Sequence, residues 1–197
     1  AVDRVTIEEA KRIINEVEPF VDIIEIGTSL FKDYGLEALK QIRKTCQKPI
    51  LADIKTIDEG EYEFRQIYKH GAEIATVMGA SAIETIRICQ KVAKEFGREY
   101  MIDTLEVSDE KMAQLKEFDD AIIGIHLAKD VESDLQIFVQ SILEKHNFTN
   151  RLAVAGGVKV EDLPLLKEAG VDIVIVGSAI TKSSDIKMSA KKFRERL

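Results

Sequence analysis

Ionisable residues recur at the ends of apolar runs along this chain of 197 residues. Glu25 closes "VDIIEIG", Asp53 and Lys55 close "PILADIK", Asp103 closes "EYMIDTL" and His126 closes "AIIGIHL". Asp3 follows the opening "AV", and Asp58 lies three residues past Lys55. A buried carboxylate is costly unless it is paired or bound to a cation. Several of them converging therefore imply a metal ion, a lysine, or both. On an extended strand Asp53 and Lys55, two apart, face the same way. An ammonium among carboxylates stays protonated, as a proton donor or an electrostatic anchor. The plainer alternative for D-x-K-x-x-D is a solvated loop with acids near a helix start. Glu25 and Asp53 together offer oxygen ligands to a hard cation such as magnesium; the plainer alternative pairs Glu25 with Lys55. His126 is either a packing residue or, from its place on the same rim, an acid/base. His70 and His146 sit near helix ends and are expected to face solvent.

Two glycine motifs supply a different chemistry. "AVAGGV", with Gly156 and Gly157, and "VIVGSAI", with Gly177 and Ser178, each follow an apolar run and precede a helical segment. Glycine lets a backbone approach a ligand closely. Exposed N–H groups there form an anion site, although ordinary turns would look similar.

The elements that must position these residues follow from periodicity. Seven short apolar runs start near positions 21, 49, 72, 99, 121, 151 and 171. Near-continuous β-branched runs fit strands buried on both faces of a parallel sheet. The opening "AV" reads as the end of an eighth, so the chain would begin part-way through its first strand. Between the runs lie amphipathic segments. Thr6 and Glu9 form a capping-box pattern. Leu36, Leu39, Ile42 and Cys46 share one helical face. Gly97 and Gly170 close helices, and Pro164 sits in a first turn. The acids after Asp58 and the basic tail "KKFRER" read as solvated faces. Strict strand–helix alternation predicts right-handed βαβ units, and eight of them predict a single (β/α)8 barrel domain over residues 1–197. An open doubly wound sheet is the alternative. Barrel enzymes work at the C-terminal strand ends and often bind phosphate after strands seven and eight, which is where both glycine motifs fall if "AV" is counted.

Composition narrows the class. The net charge of -7, with a pI near 5.2, argues against nucleic-acid binding. Two cysteines without a CxxC pattern suggest a reducing, cytoplasmic setting. No apolar run approaches the roughly 20 residues of a membrane span, and no signal peptide is visible.

"AVD", "EIGT", D-x-K-x-x-D, "AVAGG" and "VGSAIT", in this order, resemble the orotidine-monophosphate-decarboxylase suprafamily of ribulose-phosphate-binding barrels. Within it the chain is similar to the branch of 3-hexulose-6-phosphate synthase and 3-keto-L-gulonate-6-phosphate decarboxylase. That resemblance implies a homodimer with shared active sites and a magnesium-dependent lyase that acts on a sugar phosphate through an enediolate. It implies that Glu25 and Asp53 hold Mg2+, that Asp3 and Lys55 lie beside the substrate, and that Asp58 reaches the partner's site. His126 would be the acid/base, and Gly156, Gly157, Gly177 and Ser178 would bind phosphate. Asp103 matches the synthase, where the decarboxylase carries glutamate. "HLAKD" departs from the synthase's usual small polar residues between His126 and Asp130, and Lys129 falls where the decarboxylase carries arginine. The synthase reaction, in which formaldehyde adds to ribulose 5-phosphate, is favoured over decarboxylation. A non-catalytic sugar-phosphate-binding barrel would have no use for Lys55 among three acids. A ribulose-phosphate epimerase would want early histidines, and none precedes His70. Pyrimidine-binding features of orotidine-phosphate decarboxylase itself are not evident.

Overall fold

The computed structural model describes residues 1–128, 130–131 and 133–197. Seven strands form one parallel sheet in sequential order: β1 (Ile24–Ile26), β2 (Ile50–Thr56), β3 (Ile74–Met78), β4 (Glu99–Asp103), β5 (Ile122–His126), β6 (Arg151–Ala155) and β7 (Ile173–Val174). Each coincides with one of the apolar runs, β2 extending one residue past its run to Thr56. The expected eighth strand is reduced to one bridge, Val2 with Ile26. The amino group of Ala1 donates to Val176 O at 2.8 Å on the far edge. A single residue with one neighbouring register position cannot form a ladder, so the opening "AV" docks between the two edges without becoming a strand.

The helices are α1 (Ile7–Val17), α2 (Thr28–Tyr34), α3 (Leu36–Arg43), α4 (Gly60–Lys69), α5 (Ile83–Phe96), α6 (Asp109–Leu115), α7 (Leu135–His146), α8 (Leu163–Glu168), α9 (Ser178–Thr181) and α10 (Ile186–Arg196). The Thr6 hydroxyl caps α1 by accepting from Glu9 N–H at 3.2 Å. The reciprocal half of the capping box is absent among the described residues, because the Glu9 carboxylate takes the Arg12 guanidinium instead. Leu39, Ile42 and Cys46 are buried as their spacing requires. Gly97 closes α5 at φ +60°, and Pro164 occupies the first turn of α8.

Two expectations about the surface are corrected, and a third, the solvated basic tail, holds for its charged residues. His146 is 6% exposed, and its Nε2 lies 3.0 Å from Asp109 Oδ1. The end of α7 is thereby tied to the start of α6. His70 is half-buried, with Nδ1 donating to Gln66 O at 2.6 Å. In the basic tail, Phe193 turns into the core while the charged residues flanking it stay exposed.

The sheet separates two apolar layers. One lies between strands and helices and includes Ile14, Leu39, Phe64, Ile86 and Ile123. The other lies on the concave face, where Leu51, Ile74, Met101, Ile122 and Ala153 meet Ile23 and Ile173. Seven consecutive segments of chain therefore send side chains to the same interior layer, the last contributing both Ile173 and Ile175. Side chains along a strand return to the same face every second residue. Two residues beyond Ile23, Leu51, Ile74 and Met101 come Glu25, Asp53, Thr76 and Asp103. The apolar layer is the floor, and the polar residues form the next tier toward the C-terminal strand ends.

Candidate active site

That tier encloses one small cavity, lined by Glu25, Asp53, Thr76, Asp103 and His126 with Gly124 between the strands. Its polar lining comes from β1 to β5, and Ala155 of β6 and Ile175 complete the wall. Glycine at position 124 keeps the tier open on β5, since a Cβ there would stand 3.1 Å from Met101 Sδ. His126, one further step along the same face, then reaches back over the cavity.

The side chains are joined by hydrogen bonds. Lys55 Nζ donates to Asp103 Oδ2 and lies 3.3 Å from Asp53 Oδ1. His126 Nδ1 stands 3.0 Å from the same Asp103 Oδ2. Asp103 Oδ1 accepts from the N–H of Leu105 at 2.9 Å. Asp53 is clamped by two hydroxyls, Thr28 on Oδ2 at 2.8 Å and Thr76 on Oδ1 at 3.0 Å.

The protonation states follow from this arrangement. Burial works to raise the Asp103 pKa, but the His126 hydrogen bond and the Lys55 charge outweigh it and hold it at about 2. Burial works against the Lys55 ammonium too, yet Asp53 and Asp103 keep its pKa above the ordinary lysine value. Glu25 is the opposite case. Burial, then the neighbouring charge of Asp53, push its carboxyl up to about 7. Among the described residues no side chain donates to Glu25 or pairs with it. The expected alternative, a Glu25–Lys55 pair, does not form, because Lys55 turns to the two aspartates.

Lys55 reaches them by an unexpected route. The β2–β3 register runs from Ala52 opposite Ala75 to Thr56 opposite Val77, so β2 carries two extra residues. Lys55 lies in this bulge with φ +50°. The shared direction of Asp53 and Lys55 comes from this irregular backbone, and the simple alternation of an extended strand does not describe it. Bulges commonly re-aim a side chain beside a functional site.

Other candidates lie elsewhere. Asp3 sits beside Gly27, where its Oδ1 accepts from the N–H of Leu30 at 3.2 Å in the first turn of α2, and Arg4 lies 3.6 Å away. Asp58 is exposed, and Oδ1 accepts from the N–H of Glu59 at 2.8 Å. It takes no part in the cluster of its own chain. Lys129 lies outside the described residues. Gly156 and Gly157 follow β6 with φ +102° and +70°. Gly177 and Ser178 follow β7 at the same end, since Val154 pairs with Val174. Among the described residues, the N–H groups of these four meet no protein acceptor. Thr28 and Thr76 were not singled out by the sequence. Their signal is positional: Thr76 is two residues past Ile74 on the inward face, and Thr28 opens the helix after β1.

The chain as a whole and its parallel-sheet fold are matched in known proteins. The orotidine 5'-phosphate decarboxylase / HUMPS family model matches residues 1–193. The chain belongs to this family. It is 34% identical over 201 residues to 3-hexulose-6-phosphate synthase of Bacillus subtilis (strain 168), covering 99% of this chain and 95% of that one. It is 35% identical to the synthase of Methylomonas aminofaciens, over 94% and 91% of the two chains. The crystal structure of 3-hexulose-6-phosphate synthase from Salmonella typhimurium superposes with a TM-score of 0.92 at 32% identity, covering 99% and 95%.

Two carboxylates on one cavity, Glu25 having no cation partner among the described residues, are the donor type a hard divalent ion takes. Among the described residues no three His, Cys, Asp or Glu side chains close around one point. A metal here would need oxygens from substrate or water as well, which is how magnesium is usually held. No helix among the described residues is long and apolar enough to cross a membrane.

Proposed function

We propose that this chain is a magnesium-dependent carbon–carbon lyase, a 3-hexulose-6-phosphate synthase, joining ribulose 5-phosphate and formaldehyde. The observation that carries it is the chain of contacts Asp53–Lys55–Asp103–His126 around one cavity. Full-length identity of 34% and 35% to two synthases supports the choice of reaction.

Glu25 and Asp53 would hold Mg2+, which when bound polarises the substrate carbonyl and favours loss of the adjacent proton. Asp103, kept ionised by Lys55, accepts from His126 Nδ1–H. That fixes the tautomer in which Nε2 carries a free lone pair. Nε2 takes the proton from C1 of ribulose 5-phosphate, giving the enediolate. C1 then attacks the carbon of formaldehyde and forms the new carbon–carbon bond. The aldehyde oxygen becomes an alkoxide and takes a proton from the site, leaving 3-hexulose 6-phosphate. Lys55, an ammonium beside two aspartates, stabilises negative charge on the reacting oxygens. The N–H groups of Gly156, Gly157, Gly177 and Ser178 would bind the phosphate, with Asp3 and Lys129 as further substrate contacts. The chain would complete a (β/α)8 barrel and work as a homodimer, with Asp58 serving the partner's site. The two cysteines, both free and buried, suit a reducing cytoplasm.

The test is proton exchange at C1 of ribulose 5-phosphate in D2O with Mg2+, followed by addition of formaldehyde. Exchange alone, then consumption of formaldehyde, is expected. Carbon dioxide release from 3-keto-L-gulonate 6-phosphate with no formaldehyde uptake would assign the other branch of the family. Inertness toward both substrates would leave a sugar-phosphate-binding barrel.

A further inference from the structure

The bulge in β2 creates a problem that one side chain solves. Four steps of β2, from Ala52 to Thr56, run beside two steps of β3, from Ala75 to Val77. Inside that mismatch the Lys55 N–H has no ladder carbonyl. It donates instead to Thr76 Oγ1 at 2.9 Å. A buried N–H left without a partner costs more than an ordinary bond contributes, and Thr76 is 2% exposed. A hydroxyl has one proton to give. Having accepted from Lys55, the Thr76 hydroxyl gives it to Asp53 Oδ1 at 3.0 Å. The same Oδ1 is 3.3 Å from Lys55 Nζ. One hydroxyl thus touches both the main chain that aims Lys55 and the carboxylate that Lys55 faces.

We propose that Thr76 is a positioning residue for this site: its hydroxyl holds the left-handed turn at Lys55 and the rotation of the Asp53 carboxylate. The assignment rests on the functional reading above for its effect on rate. Its hold on the backbone stands apart from that reading. Left-handed backbone at a lysine is strained and persists only where the surroundings enforce it. Without the hydroxyl the bulge relaxes, and Nζ moves off the reacting oxygens while the phosphate contacts stay in place.

The experiment compares the unaltered protein with Thr76→Val, Thr76→Ser and Thr28→Val. Valine has the shape of threonine without its hydroxyl. Thr28→Val removes the other Asp53 donor but leaves the Lys55 N–H bond intact. Two quantities are read: steady-state kinetics with ribulose 5-phosphate, Mg2+ and formaldehyde, and hydrogen exchange of the Lys55 amide by NMR. Thr76→Val is expected to lower kcat roughly 10- to 100-fold with KM within about threefold, and to speed Lys55 amide exchange at least tenfold. Thr76→Ser should restore both to within about threefold, while Thr28→Val leaves the Lys55 amide protected. Should the valine variant fail to fold, Thr76→Ala takes its place. Unchanged kcat and unchanged Lys55 exchange in the hydroxyl-free variant would overturn the proposal, as would a serine variant as impaired as the valine one. If the unaltered protein is inert, the functional reading fails. The exchange comparison still decides whether Thr76 holds Lys55.

Discussion

His126 Nδ1 and Asp103 Oδ2 lie 3.0 Å apart, on the same carboxylate oxygen that takes the Lys55 ammonium. The aspartate therefore joins the Lys55 ammonium to the imidazole proposed to move a proton. Asp103→Asn should disrupt both, since an amide can present its NH2 to the imidazole and favour the wrong tautomer. C1 proton exchange should fall roughly 100-fold or more. Stability changes too. The Asp103 pKa, about 2 in the fold against an ordinary 3.8, is depressed. Its contribution is present above about pH 4 and is lost as pH falls toward 2. The variant should lack this contribution, about 2 kcal/mol, and show a flatter acid limb in urea titrations between pH 4 and 2.

Glu25 predicts the opposite pH dependence. Its folded pKa, about 7, is raised above the ordinary 4.5. The metal-free protein keeps full stability below about pH 4.5 and loses some as pH rises through 7. Thermal unfolding in EDTA should show a Tm several degrees lower at pH 8 than at pH 5.5. Magnesium should reverse that loss, because the cation stabilises the charged form. Glu25→Gln should abolish both the pH slope and the response to magnesium. A Tm that ignores pH and magnesium in the unaltered protein would remove Glu25 from the metal site.

The two glycine loops differ in what they tolerate. A Cβ at Gly156 would stand 2.2 Å from Leu127 O, and φ there is +102°. Gly156→Ala should cost about 2 kcal/mol or more, seen as a lower urea midpoint, with activity reduced as well. At Gly177 a Cβ would meet nothing nearer than Ala1 Cβ at 3.8 Å. Gly177→Ala should fold normally, and any effect should fall on KM for the phosphorylated substrate.

Asp58, exposed and apart from its own chain's cluster, supplies a test of shared sites. Lys55→Ala and Asp58→Ala proteins should each be nearly inactive. Unfolded together and refolded as an equal mixture, they should recover about a quarter of the unaltered activity, because half the dimers carry one intact site. No recovery, with Asp58→Ala active alone, would confine the site to one chain.

Much of this was legible in the residues. All seven apolar runs hold strands, because a β-branched stretch between amphipathic segments has few other ways to bury both faces. Glu25, Asp53, Asp103 and His126 stood out because charge at the end of an apolar run is conspicuous. Thr76 did not, since a threonine among β-branched residues looks like one more strand former; only counting inward from Ile74 reveals it. The aim of Lys55 was expected for the wrong reason, because a bulge depends on how two strands pair and leaves no local mark. His146 was misplaced because its partner, Asp109, is 37 positions away. Asp3 was read as a ligand contact, and its bond to the first turn of α2 emerges only once Gly27 brings the two segments together.

The sequential order of the strands has a consequence for how activity arises. Neighbouring strands are also neighbours along the chain, so each parallel pairing closes a loop of one crossover segment. The ionisable groups of the cavity, by contrast, are spread over four strands from position 25 to position 126. A refolding molecule would gain most of its secondary structure before its first turnover, and catalysis would report the docking of the last pair. The same dispersal lets selection alter one strand's contribution while the other strands keep the scaffold in register.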